Sequence, residues 1–241
     1  SDQYVNLRKN FLLTMAAGNN GVGTMKTTNN AKNIITVGGF SRDQPTTQWH
    51  ARGPTKDGRY KPDILSASIG NTVTGEAITS TKSSIQVPWP TGSGNNCNTY
   101  YCDMAGTSIA TPNVAGAAAL VREYLMTQRS VSNPSASLVK AILLNGGDHM
   151  MNGIPSPNYG WGRMNLSHSF ADDMQNNFAF WDATQGLATN GIREYTILVN
   201  QNKPLRVTLD WTDREACPEP GCSGTLPKLV NDLDLIVIDT N

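Results

Sequence analysis

The sequence contains short apolar runs that are bounded by glycine or proline, and this pattern limits the folds that the chain can adopt. Residues 11–17 (FLLTMAA) run into Gly18, residues 33–37 (NIITV) run into Gly38, and residues 62–65 (PDIL) give a shorter third run. Runs of this length that end at turn signals are typical of strands buried on both faces, as in a parallel sheet. The sequence therefore predicts an α/β fold that is built on a parallel sheet.

Helical spacing of apolar residues occurs in three later segments. The strongest covers residues 107–124, where alanine and valine recur at helical intervals: Ala110, Val114, Ala117, Ala118 and Val121. Its small residues predict close packing against the sheet. Shorter helices are predicted at residues 137–144 and 164–174. Residues 68–104 are rich in Thr, Ser, Gly and Asn and lack a period, so we expect a long surface excursion there.

After Asp182 the apolar period changes from helical to alternating. Alternation, which predicts strands, occurs in three segments: residues 195–199, 205–211 and 233–238. We therefore expect a domain boundary near residues 176–186. Residues 1–178 would form the parallel-sheet domain, and residues 179–241 would form the first strands of a β-sandwich domain. Three strands cannot close a sandwich alone, so we expect this chain to stop inside its second domain.

The chain has no net charge and no long apolar run. It carries 19 basic and 19 acidic side chains over 241 residues, so no positive field would gather a nucleic acid or an anionic membrane. No uninterrupted apolar stretch approaches the roughly 20 residues of a membrane helix. These features argue against a nucleic-acid partner and against a membrane segment in this chain.

The four cysteines form two local pairs with equal spacing, Cys97 with Cys102 and Cys217 with Cys222. An even number at close spacing favours two disulfide bonds. Because disulfides persist in oxidising compartments, we expect a secreted, extracellular or lumenal protein. A four-cysteine zinc site is the alternative, but such sites usually have tighter spacing, and the two pairs fall in different predicted domains.

The segment AGTSIATPNVAG, residues 105–116, places Ser108 at the head of the strongest predicted helix. A helix N-terminus stabilises negative charge that develops beside it. Ser108 there would be a nucleophile, and its own backbone N–H would help to bind the oxyanion of a tetrahedral intermediate. The alternative is that Thr107 or Ser108 only caps the helix.

This segment closely resembles the active-site serine motif of the subtilisin-like serine proteases, the subtilases. Three further stretches resemble motifs of that family in the same order: AAGNNG at residues 16–21, ARGPTKDGRYKPDI at 51–64 and YGWGRMN at 159–165. The resemblance implies hydrolysis of a peptide or protein substrate, with Asn19 as the side-chain donor of the oxyanion hole. It also implies a substrate-binding cleft that includes Gly18, Gly106 and Thr107.

The strand region adds a separate and less specific resemblance. Residues 204–213 (PLRVTLDWTD) and 229–237 (LVNDLDLIV) look like the β-sandwich, with a jelly-roll-like topology, that follows the protease domain in one branch of the subtilases.

The catalytic triad is incomplete in this chain. Subtilases carry the triad in the order Asp, His, Ser, with both partners upstream of the oxyanion asparagine. Here only Asp2 precedes Asn19 among aspartates, and the histidines all follow it: His50, His149 and His168. We interpret His50 as a non-catalytic family position and the other two as surface residues that flank helices.

Without a general base, Ser108 stays protonated and weakly nucleophilic, so we expect this chain to be inactive alone. It would be the C-terminal part of a longer protease domain, with the remainder on another segment or chain. The alternative function is a catalytically inactive module of the same fold with a structural or protein-binding role. Such a module need not keep both Asn19 and Ser108, so the presence of both favours the protease.

No cofactor is required for this chemistry. A calcium site is a weaker expectation, because carboxylate clusters suit calcium and the family often binds it; its ligands would be Asp213, Asp232 and Asp234. The alternative is that Asp232 and Asp234 lie on the solvent face of a strand.

Overall fold

The chain is described by a computed structural model over residues 1–23, 25, 27–42, 49–69, 77–81, 98–150, 155–170, 178–199, 202, 204–216 and 228–239. Three strands form a parallel sheet in the order β1 (Thr14–Ala16), β2 (Ile35–Ser41), β3 (Ile64–Ile69). Every residue of the central strand β2 is buried. The parallel sheet that the apolar runs predict is therefore confirmed.

Two further strands form an antiparallel pair, β4 (Ile78–Thr81) and β5 (Tyr101–Met104), in which Ile78 lies opposite Met104. They fall inside residues 68–104, where we expected a long surface excursion. No strand was predicted there, because the β4 and β5 sequences, ITST and YCDM, do not show a clear apolar alternation. Strand β5 leads directly into the loop before the longest helix.

That helix, α2 (Thr107–Gln128), begins at the predicted residue and extends four residues beyond the predicted end. It packs on the sheet through one buried face and shares a core cluster with Ile35, Val37 and Ile64: Ala110, Val114, Ala117, Val121 and Leu125. Burial of each larger aliphatic side chain in this face contributes roughly 1.5–3 kcal/mol.

The shorter helices surround this core. Helix α1 (Asp2–Leu7) precedes β1, and a 3₁₀ helix (Thr27–Asn30) precedes β2. Helix α3 (Ala136–Asn145) agrees with the prediction, and the Ser135 hydroxyl caps it by accepting from the N–H of Leu138. Helix α4 (Leu166–Ser169) is shorter than predicted, and residues 171–177 lie outside the described part.

The later part of the chain contacts the first part through buried polar groups. The Asp213 carboxylate, which is 2 % exposed, accepts from Lys32 Nζ at 2.5 Å. Asn33 and Asp213 also exchange two hydrogen bonds, from Asn33 Nδ2 to the Asp213 carbonyl at 2.7 Å and from the Asp213 N–H to Asn33 Oδ1 at 2.9 Å. Lys140 of α3 pairs with Asp210 at 3.0 Å. These contacts attach the segment around residues 210–213 to α3 and to the loop before β2.

The predicted strands at residues 195–199, 205–211 and 233–238 have no regular secondary structure in the described part of the chain. The β-sandwich and the domain boundary therefore stay predictions. Among the described helices, none has the length and apolar character needed to cross a membrane. Cys102 is 1 % exposed and is not a free thiol. Both disulfide pairings stay predictions, because three of the cysteines lie outside the described residues: Cys97, Cys217 and Cys222.

Candidate active site

The segment that follows β1 is fixed on both sides by backbone hydrogen bonds. The N–H of Ala17 donates to the carbonyl of Val37 in β2 at 2.9 Å, and the N–H of Ala51 donates to the carbonyl of Gly18 at 2.7 Å. Gly18 has a φ of 109°, a conformation that strongly favours glycine. A Cβ at this position would also lie 3.3 Å from the Ala51 side chain. The chain therefore leaves the sheet here in one defined direction.

Asn19 is held by Thr107, the first residue of α2. The backbone N–H of Thr107 donates to Asn19 Oδ1 at 3.0 Å, and the Thr107 hydroxyl donates to the same oxygen at 2.9 Å. The N–H of Gly18 donates to the Thr107 hydroxyl oxygen at 3.1 Å. Because a backbone N–H can only donate, Oδ1 of Asn19 must face Thr107, and its Nδ2 group is turned away. The exposed Asn19 can therefore offer Nδ2 to a ligand at the head of α2.

Gly106 lets the head of α2 approach Asn19. Its φ is 136°, and its N–H donates to the carbonyl of Ser68 in β3 at 3.0 Å. A Cβ here would lie 3.2 Å from Nδ2 of Asn19, and any side chain would also be strained in this conformation. Gly106 therefore keeps the space beside the Asn19 amide open.

Ser108 is the second residue of the 22-residue helix α2, and it is exposed. The first N–H groups of a helix have no partner inside the helix and carry partial positive charge. A group that becomes negatively charged next to Ser108 would therefore meet the Ser108 N–H and the positive end of the helix dipole. The structure brings Asn19 and Ser108 to the same end of α2, as the sequence motifs predict.

Two of the expected substrate-binding residues have other contacts in the structure. Thr107 is 1 % exposed, and its hydroxyl is used by Gly18 and Asn19. It is therefore placed to orient Asn19 instead of touching a substrate. Gly106 is also buried, whereas Gly18 is half-buried, and the role of Gly18 in substrate binding stays a prediction. The sequence motif around Ser108 did not indicate this contact, because Asn19 lies 88 residues away from Thr107 in the chain.

None of the three histidines, all of which lie in the described part, hydrogen-bonds to Ser108. His50 is fully buried, with each ring nitrogen facing a backbone carbonyl, and burial lowers its pKa. His149 is exposed, and His168 of α4 places Nδ1 2.9 Å from Asp148. The interpretation of His50 as non-catalytic and of the other two as surface residues agrees with these positions.

The expected calcium ligands do not form a metal site in the described part of the chain. The Asp213 carboxylate is already neutralised by Lys32 and also accepts from the N–H groups of Val230 and Asn231. Although burial alone would raise the pKa of Asp213, the hydrogen bond from Lys32 and these amides lower it. Asp232 and Asp234 are both exposed. These three aspartates therefore do not form the calcium site that we expected, because the Lys32 ammonium group already pairs with the buried Asp213 carboxylate.

A buried ion pair at the start of β3 was missed by the sequence patterns. Lys61 Nζ lies 2.5 Å from Asp63 Oδ2, and the same oxygen accepts the N–H of Thr36 in β2 at 2.7 Å. Burial lowers the pKa of Lys61 to about 8, against the opposing effect of the Asp63 charge. The pair joins β2 to the start of β3, and a lysine and an aspartate on either side of Pro62 are the one sequence signal that could have indicated it.

Known proteins resemble this chain over much of its length. Residues 2–162 match the Subtilase family. The serine protease AprX of Bacillus subtilis (strain 168) is 32 % identical over 168 residues, which cover 66 % of this chain and 35 % of AprX. The serine protease/ABC transporter B family protein tagD of Dictyostelium discoideum is 27 % identical over 247 residues, which cover 79 % of this chain and 13 % of that protein.

A solved structure of a lanthipeptide protease superposes with a TM-score of 0.52 at 23 % identity, over 69 % of this chain and 51 % of that one. At this level of identity the likeness shows the shared fold alone. The chain spans only a part of each of these relatives.

Proposed function

Since this chain belongs to the subtilase family, we propose that it supplies the nucleophile and the oxyanion hole of a serine endopeptidase. The contact between Thr107 and Asn19 carries this proposal, because it leaves an amide donor exposed at the head of the helix that bears Ser108. Gly106 supports the same proposal, because a Cβ at this position would lie 3.2 Å from Asn19 Nδ2.

In the proposed reaction, Ser108 Oγ attacks the carbonyl carbon of the scissile peptide bond and passes its proton to a histidine. The new C–O bond places negative charge on the carbonyl oxygen. Asn19 Nδ2 and the Ser108 N–H donate to this oxyanion, and the N-terminus of α2 stabilises it further. The C–N bond then breaks, the amine leaves with the proton from the histidine, and water releases the acyl group from Ser108.

The histidine base and the aspartate that orients it would come from outside this chain. His50 faces two carbonyls, and His168 lies in α4 beside Asp148, so neither is placed to accept the Ser108 proton. We therefore propose that the chain works as part of a longer protein and shows little or no peptidase activity by itself. The remaining part of the protease domain would be its essential partner, and a peptide or protein would be its substrate.

We further propose that residues 179–241 begin a β-sandwich. Apolar side chains at alternate positions of one predicted strand are exposed, as expected of a strand whose covering sheet is absent from the described part of the chain: Leu205, Val207 and Leu209. In the last predicted strand, four consecutive apolar side chains are exposed, residues 235–238. Disulfide bonds from Cys97 to Cys102 and from Cys217 to Cys222, in a secreted or lumenal protein, belong to the same proposal.

The test is peptide hydrolysis by the full-length protein that contains this chain. Ser108→Ala should lower kcat by about 10⁶-fold, because both proton transfer and covalent chemistry require the hydroxyl. Ser167→Ala is the matched control, since it removes an exposed helical serine far along the chain and should leave kcat unchanged. A Ser108→Ala protein with unchanged hydrolysis would exclude the proposed nucleophile. A wild-type protein without hydrolysis would favour the inactive module.

A further inference from the structure

His50 lies in an arrangement that a neutral imidazole cannot satisfy. Its Nδ1 is 2.8 Å from the carbonyl oxygen of Gly39, and its Nε2 is 3.0 Å from the carbonyl oxygen of Asn158. A carbonyl oxygen can only accept, and a neutral imidazole has one N–H. Only the doubly protonated ring can donate to both carbonyls. In the neutral ring, one nitrogen lone pair must face a carbonyl oxygen inside a site that is 0 % exposed.

These two contacts bind separate parts of the fold to the segment that supports the oxyanion hole. Gly39 belongs to β2, and Asn158 belongs to the turn at residues 155–160. Ala51, the residue after His50, donates its N–H to the carbonyl of Gly18 at 2.7 Å. A change at the His50 ring therefore reaches the backbone next to Asn19 through a single peptide unit.

We propose that His50 is a positioning residue for the oxyanion hole, which clamps the 155–160 turn and the Ala51 backbone against Gly18 when both of its ring nitrogens carry protons. When one proton leaves, the shorter contact to Gly39 is kept and the contact to Asn158 opens. This inference rests on the proposed role of Asn19.

The surroundings of His50 set the pH at which this clamp works. Burial lowers its pKa from the ordinary value, and the positive charge of Arg52 in the same segment lowers it further, while the two carbonyl contacts raise it. The titratable residue in the 155–160 turn is Tyr159, which is 6 % exposed. The clamp therefore closes only on the acidic side of the usual histidine range.

Two further charges lie near β2 but are already paired with each other. The guanidinium of Arg163 sits 5.7 Å from the ring centre of Phe40, the residue after Gly39, and it binds Asp148 at 2.9 Å. Because the two charges are paired, they largely cancel, and the charge that lowers the pKa of His50 is that of Arg52.

The first test needs no enzyme activity. In the intact full-length protein, side-chain ¹⁵N-histidine spectra should show His50 with two N–H groups at low pH and one at neutral pH. The ¹³C-methyl signal of Ala51 should shift with the same midpoint, and this shift should be unchanged in His168→Gln. If the ring of His50 changes protonation with pH but the Ala51 signal does not shift at the same pH, the clamp is overturned.

The second test separates positioning from simple packing. In His50→Gln, one carbonyl loses its donor at every pH, so the ratio of wild-type to variant kcat should rise about fivefold as pH falls through the His50 midpoint, with KM unchanged. The ratio for His168→Gln should stay flat. A flat ratio for His50→Gln would overturn the positioning role. A full-length protein without hydrolysis would refute the proposed function, and the spectroscopic test would then decide whether the clamp exists.

Discussion

Thr107 donates two hydrogen bonds to a single oxygen of Asn19, from its backbone N–H at 3.0 Å and from its hydroxyl at 2.9 Å. The residue that opens the helix of the proposed nucleophile thereby sets the orientation of the proposed oxyanion donor. The two residues are 88 positions apart, so these hydrogen bonds join two distant segments of the chain. While the bonds are intact, the two parts of the proposed site cannot move independently.

Removal of the Thr107 hydroxyl should loosen Asn19 without removing its donor. In Thr107→Val, the Gly18 N–H loses its acceptor and Asn19 loses one of two donors, so we expect kcat of the full-length protein to fall about tenfold. Thr107→Ser keeps the hydroxyl and should retain most of the activity. Steady-state kinetics with one peptide substrate measure both effects.

The matched control is Thr127→Val, near the other end of α2. The Thr127 hydroxyl donates to the carbonyl of Glu123 at 2.8 Å and accepts from Gln128 Nε2 at 3.3 Å, both in the same part of the helix, so its removal should leave kcat unchanged. Equal losses in Thr107→Val and Thr127→Val would show that the effect is one of helix stability alone.

Removal of the Asn19 donor should reduce turnover more strongly. Loss of one oxyanion-hole donor typically lowers kcat by about 10²–10³ with a small effect on KM, and we expect this for Asn19→Ala. Asn19→Asp can still accept from Thr107 but brings a negative charge to the oxyanion, so it should be at least as impaired. A kcat within about twofold of wild type in Asn19→Asp would rule out Asn19 as the donor.

The buried pair of Lys32 and Asp213 should contribute strongly to stability. Asp213→Asn keeps an acceptor for the neighbouring N–H groups but leaves the Lys32 ammonium, 7 % exposed, without its counter-charge. We expect a loss of about 3–5 kcal/mol in the free energy of unfolding, measured by denaturant titration. Adding Lys32→Met to this variant should recover part of the loss, because no unpaired buried charge remains.

The nearby Asp234→Asn is the control for this experiment. Asp234 is not part of the buried pair, so its change should stay within about 0.5 kcal/mol. Similar losses for Asp213→Asn and Asp234→Asn would contradict the account of Asp213 as an anchor of the later segment.

Lys61 gives a pH dependence of stability with a defined sign. Its pKa is about 8 in the folded chain against 10.5 for a free lysine, so between these values the unfolded chain binds more protons. Stability from this group should therefore rise with pH from about 8 to 10.5 and be lost as pH falls through the folded value. Lys61→Met should remove this rise in denaturant titrations. An unchanged pH slope in Lys61→Met would show that the Lys61 ammonium is not disfavoured by burial.

The parts of the fold that depend on local patterns were predictable from the sequence. The strand at Thr14–Ala16 follows from an apolar run that ends at glycine, and α2 follows from helical spacing. The apolar run at residues 33–37 also indicated β2, but this strand continues through Gly38 and Gly39 to Ser41, beyond the predicted end. The positions of Asn19 and Ser108 follow from short motifs, since each motif carries its own turn or helix start.

The rest depends on contacts between distant parts of the chain. Lys32 and Asp213 are 181 residues apart, and alternation around Asp213 gave no reason to expect a buried carboxylate. Lysine is a charged residue that normally lies at the surface, yet the fold buries Lys61 beside Asp63. The β4–β5 pair was missed because only half of its residues are polar and they do not alternate clearly with the apolar ones, so the pairing and not the pattern defines the strands.

Covalent labelling tests whether Ser108 is an activated nucleophile. The full-length protein is treated with a fluorophosphonate probe, and the modified residue is identified by peptide mass spectrometry. An activated serine in an oxyanion hole reacts with such a probe, so the account predicts one adduct on Ser108 and a strong reduction of labelling in Asn19→Ala. No adduct on Ser108 in the wild-type protein, or labelling at another serine, would contradict the assignment of Ser108 as the nucleophile.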